Sequence, residues 1–152
     1  METNLTKYKN DIDSLVKRGV KLFDGLFYEL RNELGDSYKK LPKERKEEIE
    51  NCVFKGDYNG WYNESIALIS QLIPDRLEDF KSYYRLNKRN DITNLTYTIS
   101  DYLLGVEVSK NGKIAVSKTN ALFVFQQQFY IVESLKERFE SSLYNIKQLL
   151  QA

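Results

Sequence analysis

Histidine is absent from all 152 residues. Its absence removes the usual general base near neutral pH, the Ser-His and Cys-His nucleophile pairs, and every metal site that needs an imidazole ligand. Cysteine is nearly absent as well. The single Cys52 cannot form an internal disulfide, and among Ile49, Val53 and Phe54 it reads as a small buried hydrophobe rather than a nucleophile. No excess of charge exists in either direction, since 23 basic residues face 22 acidic ones, so no overall field draws in nucleic acid or an anionic membrane. No stretch approaches the roughly 20 apolar residues that span a bilayer, and the opening METNLTKYKN lacks the apolar run of a signal peptide. With one cysteine, this predicts a cytoplasmic protein with no membrane partner, and Asn4, Asn63 and Asn94 in their N-x-Ser/Thr contexts read as chance matches. Gly-rich phosphate loops and dinucleotide fingerprints are missing too, so the sequence predicts no cofactor, no metal and no catalytic residue.

What the chain does have is rings and helical periodicity. Twenty aromatic residues (11 Tyr, 8 Phe, 1 Trp) point to a core or interface built on aromatic packing, at a length suited to one domain spanning 1–152. The longest helical pattern covers about 119–151, where Phe125, Val132, Phe139 and Ile146 recur every seven residues. Phe129, Leu143 and Leu150 fill the offset positions, with Lys136 as the one polar interruption. Such a helix is about 45 Å long, more than a compact domain of this size spans, so part of it should project or pair.

A second long helix is predicted from Leu5 to Leu34, with Ile12, Val16, Gly19, Phe23, Leu26 and Leu30 on its apolar stripe. Gly19 suggests close approach of another helix backbone, and Gly35 suggests a left-handed cap. Pro42 opens a short charged helix, Tyr58 to Ile73 outlines another, and Pro74 bends the chain into a further one ending near Leu86. Thr98 and Asp101 have the form of a capping box. Asn111-Gly112, flanked by Val106, Val108, Ile114 and Val116, is a strong hairpin signal because both turn positions need positive φ. The predicted fold is mainly α: a bundle of five to six helices with one short β-hairpin before the long C-terminal helix.

Three groups of residues carry possible chemistry. Lys81, Tyr84, Arg85, Lys88 and Arg89 combine four cations with a ring, a pattern that can neutralise phosphates and stack on a base. The same residues also suit a helix C-terminus, where cations complement the macrodipole and Tyr84 packs inward. Asp75, Glu78 and Asp79 share a helical face at a spacing that could hold a hard cation, yet acids there equally stabilise the helix start after Pro74. Trp61, Tyr58 and Tyr62 could line a pocket, although rings at this spacing more often form core.

The segments WYNESIALISQLIPDRLEDF, YTISDYLLGVEV, FQQQ and SLYNIKQLLQA resemble the amino-terminal half of a group of uncharacterised bacterial proteins associated with prophages or mobile elements, over residues 55–152. In longer members of that group a region similar to HEPN-type domains follows. HEPN ribonucleases carry an Arg followed a few residues later by His, which this sequence cannot supply. The resemblance therefore implies an accessory or regulatory helical part of a mobile-element or phage-defence system, and not the nuclease. The absence of a Gly cap after Ile146 suggests a helix that continues elsewhere.

These readings converge on a non-enzymatic interaction or oligomerisation module. Its expected contact surface is Phe125, Phe129, Val132, Phe139, Leu143, Ile146 and Leu150, with the hairpin edge beside it, and its expected partner is another protein or a second copy in a homodimer. The alternative is an RNA- or DNA-binding protein using Lys81 to Arg89. An enzyme built on carboxylates and Tyr hydroxyls ranks last.

Overall fold

Helices dominate the computed structural model, which describes residues 4–151. They run in the order α1 (Asn4–Glu29), α2 (Arg31–Leu34), α3 (Asp36–Lys39), α4 (Lys43–Glu50), α5 (Tyr58–Leu72), α6 (Leu77–Tyr84), α7 (Ile99–Leu103) and α8 (Asn120–Gln151). A 3-10 turn at Pro74–Arg76 precedes α6, and an antiparallel hairpin of β1 (Val108–Lys110) and β2 (Lys113–Val116) precedes α8. The mainly α architecture, the hairpin and the long last helix match the sequence reading.

The frame is the pairing of α1 with α8, the most extensive contact in the molecule. Gly19 of α1 lies on Phe129, while Ile12 shares a crevice with Phe139 and Leu143, so the two helices run antiparallel. A Cβ at Gly19 would stand 2.6 Å from Cδ2 of Phe129. The close neighbour is thus a ring rather than the helix backbone expected from the sequence. A backbone approach, by a non-helical segment, occurs instead at Gly25, where a Cβ would lie 2.6 Å from the carbonyl carbon of Val53. Without a side chain at Gly25 the Val53-Phe54 strap closes down on α1 and drives Phe54 into the core.

α1 stops at Glu29, short of the predicted Leu34. Leu30 leaves helical angles (φ −94°, ψ 10°), and α2 follows directly after this break. Gly35 has positive φ as expected, but its ψ of −120° is outside the left-handed helical region, and the chain re-enters a helix at once in α3.

Above α1 and α8 sits an aromatic core. The rings of Phe54 and Phe125 meet edge to face at 5.4 Å between centroids, and Trp61 packs on Phe125 at 5.0 Å. Tyr58 and Trp61 are fully buried and Tyr62 is half-buried, which settles the tyrosine-tryptophan stripe as core. The polar atoms of the two fully buried rings both find partners. Trp61 Nε1 donates to the carbonyl of Leu15 at 2.9 Å, and the Tyr58 hydroxyl donates to Oε1 of fully buried Gln128 at 2.7 Å. The Gln128 amide in turn donates to the carbonyl of Phe80 at 3.0 Å, tying α5, α6 and α8 together.

The hairpin turns through Asn111 (φ 54°) and Gly112 (φ 76°), both at positive φ. Its register departs from simple alternation because of an irregularity between Val108 and Ser109. Val108 faces Val116, whereas Ser109 faces Ile114. Only Val116 of the four expected apolar residues is buried; Val106 lies outside the strand and Ile114 is exposed.

Candidate interaction surface

The seam read along the last helix divides in two. Phe125 and Val132 are fully buried and Phe139 nearly so, all within this chain, so these three are corrected from partner contacts to core. Phe129 is half-buried against Gly19. The second row of the seam is also displaced by one residue. Ala121, Gln128 and Leu135 are the buried companions of Phe125, Val132 and Phe139, and Lys136 points outward. A strict heptad suits one long partner helix, but α8 packs on α1, α5, α6 and α7 together, which spreads its buried face over a wider stripe.

Beyond Phe139 the same face continues without a cover. Leu143 is half-buried, Ile146 is 48% exposed, Leu149 77% and Leu150 81%, and Tyr144, on the other side of the helix from Ile146, is 62% exposed. Leu5 on the opposing first turn of α1 is 49% exposed, with Tyr8 half-buried next along. At the root of this two-helix prong is a crevice of about 90 Å³ lined by Lys9, Ile12, Asp13, Lys136, Phe139, Glu140 and Leu143. Leu5, Tyr144 and Leu149 were not in the sequence-derived set. Leu149 was legible as the neighbour of Leu150 on a helix with a wide apolar stripe, but Leu5 needed the antiparallel pairing to bring it there.

The basic-aromatic patch is taken apart by the fold. Arg89 donates to both carboxylate oxygens of Asp101, at 2.7 Å for Nη2 to Oδ1, and to the carbonyl of Thr96 at 3.0 Å. Asp101 is the capping-box residue of α7: the Thr98 side chain accepts from its N–H, and its carboxylate accepts from the Thr98 N–H at 2.9 Å. Burial alone would raise the Asp101 carboxyl, but the Arg89 guanidinium and the Thr98 N–H and hydroxyl outweigh it and hold the group below its ordinary value. Arg89 is therefore corrected from phosphate ligand to structural ion pair.

Tyr84 is half-buried in a ring stack, 4.7 Å from Tyr62 and 6.1 Å from Tyr58 between centroids, with the Arg85 guanidinium 5.5 Å from its own ring. This leaves Lys81, Arg85 and Lys88 as the exposed cations of the patch. Asp75, Glu78 and Asp79 are exposed, and Asp79 pairs with Arg76 at 3.5 Å. Among the described residues no group of three or more such side chains is placed to hold a metal ion.

Two polar contacts escaped the sequence. Asp24 is buried on α1 and accepts two hydrogen bonds from Arg45 of α4, at 2.6 and 3.2 Å. Its one sequence signal is an acid inside the otherwise apolar run from Leu22 to Phe27. Glu29 accepts from the Phe54 and Lys55 N–H groups at 2.9 and 3.1 Å and from the Tyr102 hydroxyl at 2.7 Å. Burial, then this carboxylate, pushes the Tyr102 hydroxyl far up from its ordinary value. Cys52 donates to the Glu48 carbonyl at 3.4 Å, and burial followed by the Asp24 charge raises its thiol, which disfavours the reactive thiolate.

No family model matches the chain, and no curated protein or solved structure matches it. No helix among the described residues is long and apolar enough to cross a membrane.

Proposed function

We propose that this protein is a non-enzymatic interaction module that contacts another protein chain through the prong formed by the first turns of α1 and the last three turns of α8. The observation that carries this reading is the largely apolar face of α8, whose first half is core and whose second half, past half-buried Leu143, presents Ile146, Leu149 and Leu150 to solvent. Contiguous large apolar side chains on a helix end lose free energy in water that a partner surface recovers, whereas scattered ones need no such account. On the resemblance noted in the sequence, the module would serve as an accessory or regulatory part of a larger bacterial mobile-element system.

Binding of RNA or DNA through Lys81, Arg85 and Lys88 is the weaker alternative, because Arg89 is committed to Asp101 and Tyr84 to its neighbouring rings. Light-scattering mass at low and high salt, read with the 260/280 nm absorbance ratio, separates the two. The interaction reading expects a mass insensitive to salt and free of nucleic acid, and above the single chain where the partner is a second copy. A single-copy mass with co-purifying nucleic acid that is shed in high salt would overturn it.

A further inference from the structure

Resting on the interaction reading, we infer that the partner at the prong is a second copy of this chain, docked about a two-fold axis with the two α8 ends antiparallel. Three features of the prong fit one register. First, Glu140 and Lys147 are exposed, stand one heptad apart on the same flank of the apolar face, and make no ion pair among the described residues. When two α8 ends cross antiparallel with Leu143 level with the partner's Ile146, Glu140 comes beside the partner's Lys147. Symmetry repeats the contact, so one register satisfies both charges twice. A parallel pair in register would instead place like charges level with each other.

Second, the same register sets Leu150 level with the partner's Phe139. That is the level of the crevice at the root of the prong, whose apolar wall is Ile12, Phe139 and Leu143. An exposed leucine meets an apolar recess, the knob-and-hole arrangement that antiparallel helices use. The rim of the recess carries Lys9, Asp13, Lys136 and Glu140, so a polar border surrounds the apolar floor.

Third, the area fits a weak, reversible contact. Leu5, Ile146, Leu149 and Leu150 each leave on the order of 100 Å² in water. Two copies together bring about 800 Å² to the contact, at the small end of protein interfaces. Since α1 accompanies α8 in each prong, the assembled contact is a four-helix arrangement in which Leu5 closes one side.

The test is sedimentation equilibrium of the full chain up to about 100 μM. A two-copy mass is expected. Ile146→Asp and Leu150→Asp should each return it to one copy with the far-ultraviolet circular dichroism unchanged, because both side chains are exposed. Glu140→Lys and Lys147→Glu should each weaken the dimer about tenfold, since each turns two attractions into repulsions, and the double exchange should restore it. A two-copy mass that neither single exchange alters, or that the double exchange fails to restore, overturns the antiparallel pairing and leaves the interaction reading intact. A single-copy mass at every concentration overturns the self-pairing itself. Nucleic acid shed by that single copy in high salt overturns the interaction reading as well.

Discussion

The two halves of α8 both carry large apolar residues at helical spacing and have opposite fates. From Asn120 to Phe139 the helix is covered by α1, α5, α6 and α7, and even Gln128 is fully enclosed. From Glu140 to Gln151 it carries leucine and isoleucine as freely, yet every large apolar residue after Leu143 stands about half or more in water. The difference lies in what arrives beside the helix: α1 ends its coverage near its own first turns, and α5 and α6 meet Phe125 and Gln128 in the earlier half. An apolar stripe is a demand for a partner, and the fold answers it over one half of the helix alone.

Truncating the covered half should break this contrast most sharply. Phe125→Ala removes a ring that touches Phe54, Trp61 and Tyr58, and should cost about 3–5 kcal/mol, read as a lower urea midpoint. Gln128→Leu keeps volume but strands the Tyr58 hydroxyl and the Phe80 carbonyl. The expected loss is about 1–3 kcal/mol, with the helical circular dichroism retained. A gain in stability would show that the buried amide is a cost the fold tolerates.

The Arg89 to Asp101 pair extends the comparison to the cations around the fold. Its folded-state carboxyl is held below the unfolded value of about 3.9, so its contribution is present above that pH and is lost as pH falls through the folded value. Asp101→Asn should remove this part of the acid transition and lower stability at neutral pH by about 2 kcal/mol. Lys88→Ala, exposed and without an ion pair among the described residues, should leave both unchanged. In the uncovered half, Leu150→Asp should change unfolding stability by less than about 0.5 kcal/mol while abolishing association. A large stability loss there would mean that the tip is folded onto this chain after all.

Much of the fold could be read directly. The Asn111-Gly112 turn, the Thr98 to Asp101 capping box and the break at Pro74 rest on local backbone chemistry, and each is where its residues require it. The contact surface was less legible. Phe125 and Leu150 look alike in a periodic pattern, because periodicity reports which face of a helix is apolar and not what covers it. Arg89 looked like Lys88 because charge runs do not reveal that a loop will bring an acid from twelve residues away. Gly19 and Gly25 both signalled close packing, and only the path of the Val53-Phe54 strap decided which one meets backbone.

The sequence by itself thus determined the helices, their caps and turns, the hairpin and the exclusion of His-based chemistry, since all of these depend on residue type and neighbours within a few positions. Tertiary structure alone decided which half of α8 became core, which cation became an ion pair and where the bare prong lies. Those outcomes depend on the lengths and crossing points of α1, α5 and α6, quantities that exist only once distant parts of the chain have met.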